Sequence, residues 1–274
     1  MTAPRPASGP AGTTPPSAGA DPLASVAGLP GVAAAVEEAR AAVDTLRGHR
    51  VLRRYAERVA SESALRGARA SAALEGVDRP LASLREAVSA DVTAGTGDPV
   101  VQGALRVAAE GASLQETWGR APLQVLARLH TLAAAGVVGA DQHDSLGRPA
   151  REAAPRLTAL GEMLTAPTDA PALVVAAVVH GEVATMGAFP VGAGLVARAA
   201  SRLTLAARGL DPTGVSVPEV GHLELGRDTY RDALRGYAGG GPAGITAWVL
   251  HCSAAVVLGA REGLAVCESI QRGG

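Results

Sequence analysis

Apolar positions along this chain recur at helical spacing, and nowhere do they alternate with period two over a convincing length. Val36, Ala39, Val43 and Leu46 mark one face of an Ala-rich helix between Gly31 and about Gly48. A second helix is predicted from about Val51 to Glu75. Leu52, Tyr55, Val59, Leu65 and Leu74 form its apolar face, and Arg and Glu cover the rest. Further helices are predicted at about 80–90, 98–117, 121–136, 151–165, 170–186, 194–209, 227–238 and 243–271. Turn chemistry separates them: Thr96-Gly97-Asp98-Pro99, Ala166-Pro167-Thr168-Asp169, Asp211-Pro212-Thr213-Gly214 and Gly239-Gly240-Gly241-Pro242. The stretch Val137 to Arg151 is the one place for a small hairpin or irregular flap. The pattern predicts an all-α fold. Residues 1–22, rich in Pro, Ala, Gly, Ser and Thr, are expected to be a disordered tail, because they carry too little apolar surface to offset chain entropy. Residues 23–50 are expected to hold an N-terminal helix, and 51–271 one helical domain.

Composition changes the picture of the core. Of the 274 residues, 47% are hydrophobic, yet the chain has one Phe, two Trp and three Tyr. A core built on Ala, Val and Leu requires helices to pack closely. Ala and Leu are also strong helix formers. The 25 basic residues nearly balance the 26 acidic ones, which leaves no electrostatic footprint for nucleic acid or an anionic membrane surface. Every basic residue other than His is Arg, and neither Lys nor Asn occurs. That excludes a P-loop lysine, a lysine Schiff base and an N-glycosylation sequon. The bland origin of both absences is a GC-rich genome.

Cys252 and Cys267 fall on one predicted helix, where their spacing is roughly 22 Å at 1.5 Å rise per residue, too far for a disulfide. A reduced, cytoplasmic protein is the simple expectation. The N-terminus lacks a basic region followed by an apolar run, so no signal peptide is expected. The most apolar segment, Ala170 to Val179, is too short to span a bilayer.

Candidate chemistry concentrates between Ala170 and Leu210. An apolar helix ending near Met186 leads into Gly187-Ala188-Phe189-Pro190-Val191-Gly192-Ala193-Gly194, and the next helix carries Arg198, Arg202 and Arg208. Backbone N–H groups of a Gly-rich loop and a first helical turn converge on one spot that suits an anion. Tight packing is the commoner use of such a loop.

This segment resembles the signature loop of the Fic family, H-P-F-x-[D/E]-G-N-G-R-x-x-R, which is also set between two helices. Phe189, Gly192, Gly194 and Arg198 match its Phe, both Gly and final Arg. Three other regions look similar to the family: the Ala177–His180 helix before the loop, Tyr230 through Trp248 near the C-terminus, and Leu129-His130-Thr131-Leu132 upstream. Ser71-Ala72-Ala73-Leu74-Glu75-Gly76 fits the family's inhibitory pattern, [S/T]-x-x-x-E-[G/N], at the end of a long helix. The resemblance implies a Fic-like helical domain with the signature loop at 187–198 and the inhibitory motif at 71–76. It further implies an ion pair between Glu75 and Arg198 that blocks the γ-phosphate site.

The departures from the pattern carry the functional expectation. Gly187 stands where the family has its general base, help typically worth about 10²–10⁴-fold. Val191 replaces the acid that holds Mg²⁺, Ala193 the Asn that orients phosphates, and Leu195 the first Arg. Phosphoryl-type transfer depends on positioning and charge stabilisation, so these losses compound. The expectation is a protein inactive in AMP transfer that acts as a binding or regulatory module, with a protein partner. Gly192, Ala193, Gly194 and Arg198 would hold ATP or another phosphate ligand without Mg²⁺, and Phe189 would anchor the loop in the core. The alternatives are an atypical nucleotidyl or phosphoryl transferase using ATP, or a helical interaction scaffold without ligand.

The remaining histidines take ordinary readings. His180, two helical turns before Gly187, is read as a core or helix-face residue away from the loop rather than a relocated base. Glu182 is expected to pair with it or with a nearby Arg. Asp141, His143 and Asp144 read as a solvated loop with no zinc-ligand spacing, and His222, near Glu224, as a surface or cap residue. His49 and His251 carry no motif.

Overall fold

The computed structural model describes residues 21–89 and 97–273. Twelve α-helices run through them in chain order: α1 (Pro22–Ala27), α2 (Val32–Arg47), α3 (Leu52–Leu74), α4 (Leu81–Ser89), α5 (Pro99–Trp118), α6 (Pro122–Ala134), α7 (Ala154–Thr165), α8 (Ala172–Thr185), α9 (Ala193–Ala207), α10 (Pro218–Glu224), α11 (Arg227–Ala238) and α12 (Pro242–Gly273). No strand occurs among the described residues, so the fold is all-α.

Most helix boundaries fall where the periodicity and the turn residues predict them. Asp98 shows why: its side chain accepts from the Val100 and Val101 amides, and Pro99 opens the first turn of α5. Four expectations need correction. The 137–151 stretch forms no hairpin; two 3₁₀ segments, Ala140–Ser145 and Arg151–Ala153, occupy it, because it lacks the alternation that would give a strand pair a buried face. The N-terminal helix expected over 23–50 is two helices, broken where Pro30 and Gly31 (φ +80°) intervene. Asp21 and Pro22 belong to the fold rather than the tail: Asp21 caps α1 by accepting from the Leu23 amide at 2.9 Å. The rest of that expected tail, 1–20, lies outside the described residues. Finally, α10 is a helix that periodicity missed, since seven residues are too few to show one.

Two apolar clusters share the core. One gathers α5, α6 and α9 around one side of α8, with Leu126, Leu129, Val179, Leu195 and Val196. The other gathers α2, α11 and α12 around its opposite side, with Val43, Leu46, Val174, Ala177 and Trp248. Helix α8 is apolar all round and is buried from Leu173 to Gly181, which such a helix must be. Helix α12 is long and apolar enough to cross a membrane by composition, but here much of it is buried against α2 and α10.

Small residues set the helix spacing. A Cβ added at Gly221 of α10 would lie 2.0 Å from the Ala255 carbonyl oxygen of α12, so the two backbones touch directly. Gly111 of α5 faces open space instead. Gly221→Ala is therefore expected to destabilise the protein by at least about 1–3 kcal/mol. Gly111→Ala is expected to stabilise it by about 0.5–1 kcal/mol through the helix backbone alone. Urea denaturation of both variants checks the contrast, and equal midpoints would contradict the packing assigned to α10 and α12.

Candidate functional site

The loop from Met186 to Gly192 joins α8 to α9 and is held from below. Phe189 is buried, and its ring stacks on that of His130 with centroids 4.4 Å apart. The His130 Nδ1 accepts from the Gly147 amide at 3.0 Å, and the Ala150 amide donates to the Ala188 carbonyl at 2.9 Å. The loop is thus fastened both to α6 and to the segment that was expected to be a flap. Burial pushes the His130 pKa below its ordinary value, so its ring is a neutral packing surface. Phe189 is the core anchor that the sequence implies, and His130 is its unpredicted partner.

Gly192 closes the loop as the N-cap of α9, with φ at +72°, a left-handed conformation that glycine adopts without strain. Ala193 and Gly194 are the first helical residues. Glu75, the C-cap of α3, brings its carboxylate against this turn: a Cβ built on Gly194 would lie 2.1 Å from Glu75 Oε1. Glycine at 194 is what leaves room for it. Gly76 follows with φ at +104°, and the Arg227 guanidinium covers that turn while its Nε donates to the Leu74 carbonyl at 3.0 Å.

Arg198 lies one turn further into α9 and is 2% exposed. Its Nη2 donates to Glu75 Oε1 at 2.7 Å and to the Ser71 carbonyl at 3.1 Å. Its Nε donates to Ser71 Oγ at 2.7 Å, and its Nη1 to the Tyr230 hydroxyl at 3.2 Å. Burial works against the charge, but Tyr230 and Glu75 outweigh it and raise the Arg198 pKa further. The expected pair is therefore formed, and the Ser of the 71–76 pattern acquires a role by binding the guanidinium twice. Glu75 remains about one-third exposed, so the pair opens to solvent on the carboxylate side. Electrostatically, a carboxylate sits at a helix N-terminus beside a buried cation. That is the arrangement that favours an anion there.

The other positions of the loop separate. Leu195 is buried and belongs to the α5–α6–α9 side of the core rather than to the loop mouth. Val191 is half-buried, and Gly187 (φ +71°) faces open space, with nothing within 4 Å of where a Cβ would stand.

Behind Arg198 the structure extends one histidine reading and corrects another. His180 is a core residue, as expected, and its Nε2 lies 2.8 Å from the Tyr230 hydroxyl, which links it to Arg198. His222 is not a surface or cap residue. It is buried, parallel to Trp248 with centroids 6.2 Å apart, and its Nδ1 is 3.1 Å from Nε2 of His251. Both were hidden because contacts between α8, α10, α11 and α12 leave no trace in local spacing. The Tyr-to-Trp pattern after Tyr230 was the one available signal. Glu182 turns the other way, pairing with Arg156 at 2.8 Å and accepting from the Tyr237 hydroxyl at 2.9 Å. Asp141, His143 and Asp144 lie exposed on the first 3₁₀ segment.

This arrangement of helices is similar to that of a Fic family protein from Desulfovibrio desulfuricans G20, whose crystal structure was determined at 2.70 Å. The TM-score is 0.64 at 21% identity, over 84% of this chain and 74% of that one. The chain therefore has a Fic-like fold. No protein-family model matches it, and no curated protein matches it in sequence.

Tyr230→Phe leaves the ring in place but removes the hydroxyl that connects His180 to Arg198. The expected cost is about 1–3 kcal/mol, because buried polar groups lose a partner on both sides. Chemical denaturation measures it, and an unchanged midpoint would mean that the hydroxyl contributes nothing to the network.

Proposed function

We propose that this Fic-fold protein is inactive in AMP transfer and acts as a binding or regulatory module whose anion site is closed by its own Glu75. The observation that carries the reading is the Glu75 carboxylate lying against Gly194 and on Arg198, where a phosphate group would find the same helix N-terminus and the same cation. The resemblance assigns the family's chemistry to Gly187, Val191, Ala193 and Leu195, and none of the four offers a base, a metal ligand or a phosphate clamp. His180 is a poor substitute base, since its ring is buried and engaged with Tyr230. A protein partner and a reducing, cytoplasmic setting complete the proposal. Two buried free thiols support that setting, and the near-neutral charge argues against nucleic acid or membrane partners.

Glu75 is then a latch that a ligand must displace. Wild-type protein is expected to show no Mg²⁺-dependent binding of ATP by titration calorimetry. Glu75→Ala removes the competing carboxylate and is expected to raise ATP affinity about tenfold or more, a typical coupling between linked states, without a requirement for Mg²⁺. Adding Arg198→Ala should remove the gain. If Glu75→Ala does not bind ATP either, the helical scaffold without ligand takes this reading's place. Mg²⁺-dependent binding by the wild type, or AMP found by mass spectrometry on lysate proteins incubated with it, would instead restore an atypical transferase.

A further inference from the structure

Among the described residues, one group of metal-capable side chains lies in the core behind Arg198. His180 of α8, His222 of α10 and Cys252 of α12 are all buried, and each presents one ligand atom within 4.8 Å of the other two. We propose that these three residues form a binding site for a thiophilic transition-metal ion, zinc(II) or copper(I), that ties α8, α10 and α12 together.

Three independent features carry the proposal. First, His180 Nδ1 is buried without a hydrogen-bond partner on a residue only 1% exposed. A buried nitrogen left unpaired costs about 1–3 kcal/mol, and a metal ion satisfies it. Second, each histidine has one nitrogen already held, which leaves His180 Nδ1 and His222 Nε2 as the atoms this proposal assigns to the ion. His180 Nε2 meets the Tyr230 hydroxyl at 2.8 Å, and His222 Nδ1 meets His251 Nε2 at 3.1 Å. Ligating histidines are characteristically oriented this way through their second nitrogen. Third, two imidazoles and a thiolate are the donors that d¹⁰ ions prefer over the hard cations Mg²⁺ and Ca²⁺.

The charge balance favours this donor set over three imidazoles. Arg198 faces the group through Tyr230, with Glu75 beyond it, so a thiolate offsets one charge of an ion placed near that cation, whereas a third neutral imidazole would offset none. On binding, the Cys252 thiol releases its proton to solvent and the sulfur binds as thiolate, which cancels one positive charge of the ion. With the ion on Nδ1, the His180 ring proton resides on Nε2 facing the Tyr230 oxygen, and the Tyr230 O–H must turn to another acceptor. Zinc has a fourth position that one water would fill, whereas copper(I) is content with three ligands. Metal–nitrogen bonds of about 2.0–2.1 Å and a metal–sulfur bond of about 2.3 Å bring ligand atoms to roughly 3.3–3.6 Å from one another, so the group, whose atoms lie within 4.8 Å, closes by up to about 1.3 Å on binding.

The test is made on the full chain. Protein produced in medium containing zinc and copper is expected to carry one equivalent of one of them by elemental mass spectrometry, which also tells the two apart. X-ray absorption at that metal's edge is expected to show one sulfur and at least two nitrogen neighbours. Protein refolded with Co²⁺ should develop a thiolate-to-cobalt charge-transfer band that Cys252→Ser loses and Cys267→Ser, a control on the same helix, retains. Metal-free protein from that medium, a shell without sulfur, or a band that survives Cys252→Ser would each overturn the site. The first two readings need no variant, so they stand even if Cys252→Ser fails to fold. None of them depends on the latch or on ATP.

Discussion

A buried guanidinium organises this fold. Arg198 is taken out of water in the middle of an all-helical domain, a placement that costs several kcal/mol unless its donors are matched. Ser71 and Glu75 from the end of α3 and Tyr230 from α11 match them. Each partner is far away in sequence, so the charge can be buried only when α3, α9 and α11 have docked. The same demand fixes where α3 must stop. Glu75 caps it, Gly76 turns the chain at positive φ, and Arg227 covers the turn.

Close packing of small residues makes that docking possible. Gly194 admits the Glu75 carboxylate to the first turn of α9, and Gly221 lets α10 lie directly on α12. With few aromatic residues available, the rings that exist are concentrated where geometry has to be held. Phe189 stacks on His130 under the loop, and Trp248, Tyr230, His180, His222 and His251 pack edge to face, tilted or in parallel behind Arg198. Trp248 is fully buried and donates its indole N–H to the Ala177 carbonyl at 2.8 Å, which ties α12 to α8. The Glu75–Arg198 pair therefore rests on a polar and aromatic floor that continues into the histidine and cysteine group. Each layer positions the one in front of it.

The Fic-like fold, the closed pair and the displaced loop residues bear on function in different ways. The fold positions a helix N-terminus beside a cation, and both favour negative charge. The pair puts a carboxylate there. Leu195 shows how a position that could have lined the site has instead joined the core, so regaining the family's pattern would involve repacking as well as replacing a side chain. Gly187 is the opposite case, since open space lies in front of it.

Much of this was legible in the sequence, because helix periodicity, caps and Gly-Pro turns are local properties. They placed most helices and the loop between α8 and α9; Phe189 stood out as the single Phe of the chain. The Glu75–Arg198 contact was legible only through the resemblance to the Fic family, which implies it; the spacing of the two residues alone carries no such information. Where the signal was short or non-repeating, it failed: α10 is too brief to show a period, and the 137–151 stretch has no alternation to tell a 3₁₀ turn from a flap. What only the tertiary structure decided is which histidines meet. His180, His222, His251 and Cys252 lie on three helices with no common motif, and each alone reads as an ordinary residue on a helix face. Burial brings them together, and burial is a property of how helices pack rather than of any one helix's pattern.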